Sequence, residues 1–182
     1  TSNLKTGLGS WSVDDIATDL KTGADKSKPT SLGPMSEVVH CSRSFMTDDD
    51  LQAMAEYLKA LPASSAMSPD HQPDKTLAAG ATTYVDNCSA CHQAQGSGIP
   101  GVFPALAGNG VVLAADANDI LKVVLFGIPV QDGYIAMPGF GDKLSDQQIA
   151  DLANYLRSSW GNGAAVNATA AQVAALRKLP VE

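Results

Sequence analysis

Cys88-Ser89-Ala90-Cys91-His92 is the stretch on which the reading of this chain turns. A C-x-x-C-H run is the attachment motif of a c-type haem. Its two thiols form thioethers with the haem vinyl groups, and the adjacent histidine becomes the proximal ligand of the iron. The spacing is about one helical turn, so one short segment does all three jobs. Two other chemistries use the same residue types. A thioredoxin-like dithiol opens a helix that follows a strand in a βαβ pattern, and no such strand precedes Cys88. A tetrahedral zinc site needs more ligands. The remaining candidates are His40, Cys41 and His71, with no second C-x-x-C. One covalent haem c, held by Cys88 and Cys91 with iron on His92, is the expectation.

Haem attachment does not by itself separate electron transfer from catalysis; the second axial ligand does. Met137 lies in Ile135-Ala136-Met137-Pro138-Gly139-Phe140, a Gly- and Pro-rich loop 45 residues after His92. A thioether is a soft ligand for low-spin iron. His/Met ligation raises the reduction potential and leaves no open position for oxygen or peroxide. The alternative for Met137, one of five methionines, is a gap-filling role in the core. If Met137 were off the iron, a haem-based ligand sensor or a peroxidase-like enzyme with an open iron site would be the reading.

The segments around this pair predict helices and no strand. Residues 76–87 carry Leu77, Gly80, Ala81, Tyr84 and Val85 at helical spacing. Gly80 lacks a side chain, so another helix can cross closely there. Residues 114–126 carry Ile120, Val123 and Val124 and stop at Gly127. Ser145 and Gln148 form a capping-box pattern, followed by an apolar stripe of Ile149, Leu152, Ala153, Tyr155 and Leu156 that runs out near Gly161. The expected fold class is all-α, with these stripes packing a core that walls the haem from water.

Composition narrows the function. The 182 residues carry 12 Lys and Arg against 19 Asp and Glu, a formal charge of −7. That argues against nucleic acid as a partner, because such binding rests on neutralising phosphates. Hydrophobic residues are 45%, which argues against disorder. The longest apolar run, residues 123–130, is far too short to cross a bilayer.

Residues 77–160 resemble a class I cytochrome c domain. The attachment motif carries the resemblance, with the Phe103-Pro104-Ala105-Leu106-Ala107-Gly108-Asn109 loop, the Ala136-Met137-Pro138 loop and the terminal helix with Tyr155. The resemblance implies that a proline carbonyl about a dozen residues after the proximal histidine accepts its ring N–H. Pro104, 12 positions after His92, takes that role, with Pro100 the weaker candidate. It also implies that Gly80, Tyr84 and Tyr155 meet where the first and last helices cross, and that Asn109 and Tyr134 line the haem edge.

The first third of the chain repeats the later part. Asp48, Ala55, Tyr57 and Leu58 recur as Asp146, Ala153, Tyr155 and Leu156, and Asp15-Ile16, Leu20 and Gly23 have the spacing of Asp119-Ile120, Val124 and Gly127. Between them, Gly33-Pro34-Met35 stands where the second copy has Ala136-Met137-Pro138. The offsets are 104 residues for the earlier helix, 102 for the methionine and 98 for the last helix. Residues 1–62 therefore read as the later part of a cytochrome c-like domain without its own C-x-x-C-H. Residues 63–74, with Ser64, Ser65, Pro69 and Pro73, read as a tether. Residues 75–161 read as a complete domain and 162–182 as a tail.

This organisation is similar to the multihaem cytochrome c subunits of bacterial membrane-bound dehydrogenases for alcohols, sugars, gluconate or aldehydes. The resemblance implies electron transfer from a dehydrogenase catalytic subunit toward quinone or another redox carrier, with no substrate chemistry in this chain. It implies a periplasmic location, with membrane association only indirect or through missing parts. It makes Met35 a candidate ligand of a second haem, held only if the missing attachment segment is supplied. The absent upstream domain leads to the expectation of a truncated or clipped chain.

Smaller features carry less. In the tail, Thr169 is placed to cap a short helix with Val173, Leu176 and Leu179 on one face, either docked on a partner subunit or solvated. Cys41 reads as a buried small thiol beside a surface His40, and His71 as solvated. Asp48-Asp49-Asp50 reads as a helix N-terminus. Asn167-Ala168-Thr169 is a glycosylation sequon of the kind chance produces often.

Overall fold

The computed structural model describes residues 7–23, 34–63, 75–130 and 135–179. The chain divides into two compact units, one formed by the described residues up to 63 and one by those from 75 onward. The described residues form helices and turns with no strand; only two isolated bridges occur, Ile99 with Phe103 and Ile128 with Met137. The fold is all-α, as the stripes predict. No helix among the described residues is long and apolar enough to cross a membrane.

The first unit holds α1 (Val13–Thr22), α2 (Pro34–Cys41) and α3 (Asp48–Ala60), with single 3-10 turns at Leu8–Ser10 and Arg43–Phe45. Ser12 starts α1 through a reciprocal box with Asp15, at 3.0 and 2.8 Å. Gly23 ends it in the left-handed region at φ 72°. Thr47 caps α3 by accepting from the Asp50 amide, and Asp48, Asp49 and Asp50 occupy its first turn, where carboxylates complement the helix dipole. Ile16 and Leu20 of α1 close on Leu51 and Ala55 of α3. At the far end of α3, Lys59 Nζ donates to the carbonyls of Leu8, Gly9 and Trp11 at 3.1, 2.8 and 2.6 Å.

Two expectations for this unit need correction. Met35 is not in a loop; it sits in the first turn of α2 and is 48% exposed, while Ser36 and Val39 of the same helix are buried. Proline is well tolerated in the first turn, where its missing N–H has no partner to lose, so Pro34 opens the helix instead of prolonging the loop. Cys41, the last residue of α2, is exposed and not buried, because the buried side of that helix is taken by Ser36 and Val39.

The second unit holds α4 (Lys75–Asn87), α5 (Ser89–His92), α6 (Asn118–Phe126), α7 (Asp146–Ser158) and α8 (Ala170–Leu176). Helices α4 and α7 cross at Gly80. A Cβ there would lie 2.2 Å from the Asp151 carbonyl oxygen and 2.6 Å from Tyr155 Cβ, so only glycine permits the approach. Tyr84, Tyr155 and Trp160 cluster beside the crossing, with ring centroids 4.9 to 5.6 Å apart. Around them Ile120, Leu121 and Val124 of α6 and Ile149, Leu152, Ala153 and Leu156 of α7 complete the core.

Helix α6 starts at Asn118, four residues later than the spacing predicts. Arg157 is the reason. Its side chain is 0% exposed, and all five guanidinium N–H groups meet carbonyls. Nε donates to Ala165 at 2.7 Å, one terminal nitrogen to Val112 and Asp116 at 3.0 and 3.1 Å, and the other to Ala114 and Ala115 at 2.8 and 3.4 Å. Carbonyls turned toward one guanidinium cannot also run along a helix axis, so residues 114–117 stay in turns.

The tail helix is not freely solvated. Thr169 does cap α8 through a box with Gln172, but α8 packs on its own unit. Val173 is 0% exposed within the core. The Asn154 side chain pairs with Ala168 in both directions, at 2.9 and 3.0 Å. Leu179 lies past the end of the helix and is exposed.

Candidate functional site

Helix α4 feeds directly into the attachment segment. The Cys88 amide bonds back to the Tyr84 carbonyl at 2.8 Å, and the amides of Cys91 and His92 bond back to Cys88. Cys88 and Cys91 therefore sit one turn apart, Cys88 at the break between α4 and α5 (φ −123°) and Cys91 within α5, with His92 next to Cys91. Both cysteines are free thiols; Cys88 is buried and Cys91 exposed. Burial, with the nearby Cys91, pushes the Cys88 thiol up to about 11, so it stays protonated at neutral pH.

His92 is 8% exposed. Its Nδ1 lies 2.9 Å from the Pro104 carbonyl oxygen. A carbonyl can only accept, so Nδ1 carries the proton and donates it. Burial lowers the imidazole pKa below its ordinary value, against the raising effect of the Pro104 bond, and the ring is neutral at pH 7. Its Nε2 lone pair has no hydrogen-bond partner among the described residues. This is the state a metal-ligating histidine needs: tautomer fixed on one side, lone pair free on the other.

The loop that presents Pro104 is folded tightly against the turn after His92. The Gly98 amide donates to the His92 carbonyl at 3.0 Å, and the Leu106 and Ala107 amides donate to the Gly96 carbonyl at 2.7 and 3.0 Å. A Cβ at Gly98 would stand 2.4 Å from the Phe103 carbonyl oxygen, and φ there is +63°. Tyr84 Oη donates to the Gln93 carbonyl at 2.5 Å, and Trp160 Nε1 donates to the Ala94 carbonyl at 3.2 Å. The aromatic cluster thus braces the turn that follows the ligand. Pro100, the weaker candidate, takes no bond from His92.

Met137 is partly buried. Its backbone is pinned by a reciprocal pair with Ile128, both bonds 2.9 Å. Gly127 makes the pairing possible, since a Cβ there would meet the Met137 carbonyl oxygen at 2.3 Å. The methionine loop is therefore fastened to the end of α6. Asn109 uses its side chain within its own loop, donating to the Ala105 carbonyl at 3.0 Å and accepting from the Val111 amide at 2.9 Å. Tyr134 lies outside the described residues, as does His71.

The donor set fits a c-type haem: two thiols one turn apart, an adjacent neutral imidazole with a free Nε2, and a thioether on a fastened loop. It does not fit the two other chemistries. No group of three or more His, Cys, Asp and Glu able to hold a metal ion occurs among the described residues, so Cys88, Cys91 and His92 have no fourth zinc donor among them. No strand leads into α5 as a thioredoxin-like dithiol requires.

Three polar residues that the sequence reading passed over support these loops. Arg157 gathers the carbonyls before α6. Asn162, fully buried, accepts from the Gly108 amide at 2.8 Å and donates to the carbonyls of Leu106 and Leu156 at 3.1 and 2.9 Å. Arg177 reaches from the tail to Gly141, Leu144 and Asp146. Lys59, one repeat before Arg157, was the available signal for the first. Asn162 sits between two glycines and reads as a linker, so nothing local marks it.

Comparison with known proteins places this site in context. The family model for cytochrome c matches residues 77–160. The chain is 41% identical over 191 residues to the cytochrome c subunit of alcohol dehydrogenase (quinone) from Gluconobacter oxydans (strain 621H), a match covering 97% of this chain and 40% of that protein. It is 40% identical over 188 residues to the gluconate 2-dehydrogenase cytochrome c subunit of Pantoea cypripedii, covering 94% of this chain and 42% of that protein. It is also 35% identical over 110 residues to cytochrome c-552 of Thermus thermophilus, covering 54% of this chain and 83% of that protein. The chain thus spans about two fifths of the length of the dehydrogenase subunits it matches.

Proposed function

The chain belongs to the cytochrome c family, and from that premise we propose that it relays electrons on one covalent haem c, which Cys88 and Cys91 would anchor and whose iron His92 and Met137 would hold. When bound, that group supplies a one-electron ferric/ferrous couple. The observation that carries the reading is His92: buried, neutral, with Nδ1–H committed to Pro104 and Nε2 free. The Pro104 bond orients the ring and raises its basicity. Met137 brings a soft thioether on a loop tied to α6 at Ile128. The core keeps His92 and Cys88 largely from water. A ligand pair held this rigidly keeps the same geometry in both oxidation states, and reorganisation stays small.

The electron donor is a dehydrogenase catalytic subunit, a reading supported by the relatives' own description as dehydrogenase cytochrome subunits. The acceptor is quinone or another redox carrier, and the location is periplasmic. Residues 75–161 form the complete haem domain, and residues 1–62 are the later part of a second one. Supporting the latter, Ile16, Leu20, Leu51 and Ala55 are buried as are Ile120, Val124, Ile149 and Ala153, and Lys59 holds the carbonyls before α1 as Arg157 holds those before α6. Tyr57, the counterpart of Tyr155, is 68% exposed, whereas Tyr155 packs against Tyr84 of α4. Met35 serves a second haem only where a separate segment supplies the attachment site.

Carbon monoxide tests this against the open-site alternative. The reduced protein is expected to resist carbon monoxide, and the Met137→Ala variant to bind it. Ready binding by the unaltered protein would instead make it a ligand sensor or a peroxidase-like enzyme.

A further inference from the structure

The segment after α7 lies beyond residues 77–160, the part the family shares, yet it reaches the loops that carry both axial ligands. Its base is fixed: Val173 is in the core, and Asn154 holds Ala168. From there Arg177 extends its guanidinium to the turn that follows Met137. It donates to the Gly141 and Leu144 carbonyls and pairs with Asp146 Oδ1 at 2.5 Å, at the start of α7. The same turn is also stitched to α6: Phe140 N–H donates to the Val124 carbonyl at 2.8 Å and Gly141 N–H to the Leu125 carbonyl at 3.1 Å. Residues 137–144 are therefore tied both to α6 and to Arg177. At the segment's other end, buried Asn162 holds Leu106 and Gly108, two and four residues past the carbonyl that accepts from His92.

We propose that residues 162–177 are a clamp on the ligand loops, and that Arg177 is the positioning residue that keeps the Met137 thioether on the iron. A thioether is a neutral, weak ligand, so its occupancy depends on how costly it is for its loop to swing away. Three charge-assisted contacts from one planar fork raise that cost. Without them two carbonyls lose their donor, and the loop opens locally without global unfolding. This inference rests on the reading that Met137 ligates the iron.

The test is imidazole titration of the ferric holoprotein, read on the red-edge absorption band of sulfur-ligated haem. Arg177→Met keeps the aliphatic stem and removes the fork. Leu152→Ala opens a cavity in the core of α7, outside residues 162–177 and away from the groups Arg177 binds. Arg177→Met is expected to bind imidazole about tenfold more tightly than the unaltered protein, whereas Leu152→Ala stays within about twofold, although it lowers global stability. Asp146→Asn, which leaves the fork in place, moves affinity in the same direction by less and serves if Arg177→Met does not fold. Imidazole affinity unchanged in both Arg177→Met and Asp146→Asn overturns the clamp, as does an equal gain in Leu152→Ala. An unaltered protein that lacks the sulfur–iron band overturns the ligation reading itself, whatever the variants do.

Discussion

At the scale of single residues, the polar groups inside this protein are those that fix backbone where a helix cannot. Arg157 is a fully buried cation; burial lowers its pKa against the raising effect of the Asp116 charge, and five carbonyls take its N–H groups. Arg157→Met should cost at least about 3 kcal/mol, because it strands buried acceptors that water cannot reach. Denaturant unfolding of the two proteins measures this, and a loss under 1 kcal/mol (about a fivefold change in equilibrium) would show that water replaces the guanidinium. Tyr84 gives a pH signature. Burial, first among its causes, pushes its phenol from 10.0 up to about 12. Between those values the folded chain keeps a proton that the unfolded chain has lost, so stability is full below pH 10.0 and falls as pH rises toward 12. Tyr84→Phe should flatten that alkaline loss in a series of melts across the window; an unchanged slope would assign it to other groups.

At the scale of elements, the sequence made the helices legible wherever local chemistry decides them. The box at Ser145 and Gln148, the cap at Thr169 and the stop at Gly127 all appear as the patterns predict. It failed where a distant side chain decides. Residues 114–117 have helical composition, but Arg157, some forty positions later, takes the carbonyls of Ala114, Ala115 and Asp116. The packing of the tail has the same origin: Asn154 and the core around Val173 dock α8, and no pattern inside the tail announces either. Pro34-Met35 starts a helix where its counterpart, Met137-Pro138, lies in a loop, because proline suits both. The α4–α7 crossing was legible from one glycine. Gly80→Ala should destabilise the second unit by at least about 2 kcal/mol, since the added carbon meets backbone that has nowhere to move. A denaturation midpoint equal to that of the unaltered protein would mean that the helices separate at little cost.

For the whole molecule, the fold class followed from spacing, and the family from five adjacent residues supported by the Pro104 and Met137 loops. What the spacing could not supply is the tertiary bracing: Asn162 and Arg177 act on loops far away in sequence, and their neighbours read as linker and tail. The repeat goes deeper than its apolar stripes. Lys59 and Arg157, both basic and both at the end of their helix, do the same job for the turns before α1 and α6, with the longer fork of arginine holding more carbonyls. The two units differ in that only the second contains a C-x-x-C-H, and that difference sets the number of cofactors the chain can anchor. The intact mass of the denatured, fully matured chain counts them directly, since thioether links survive denaturation. The account predicts the polypeptide plus one haem, retained at Cys88 and Cys91; a bare polypeptide mass would contradict it.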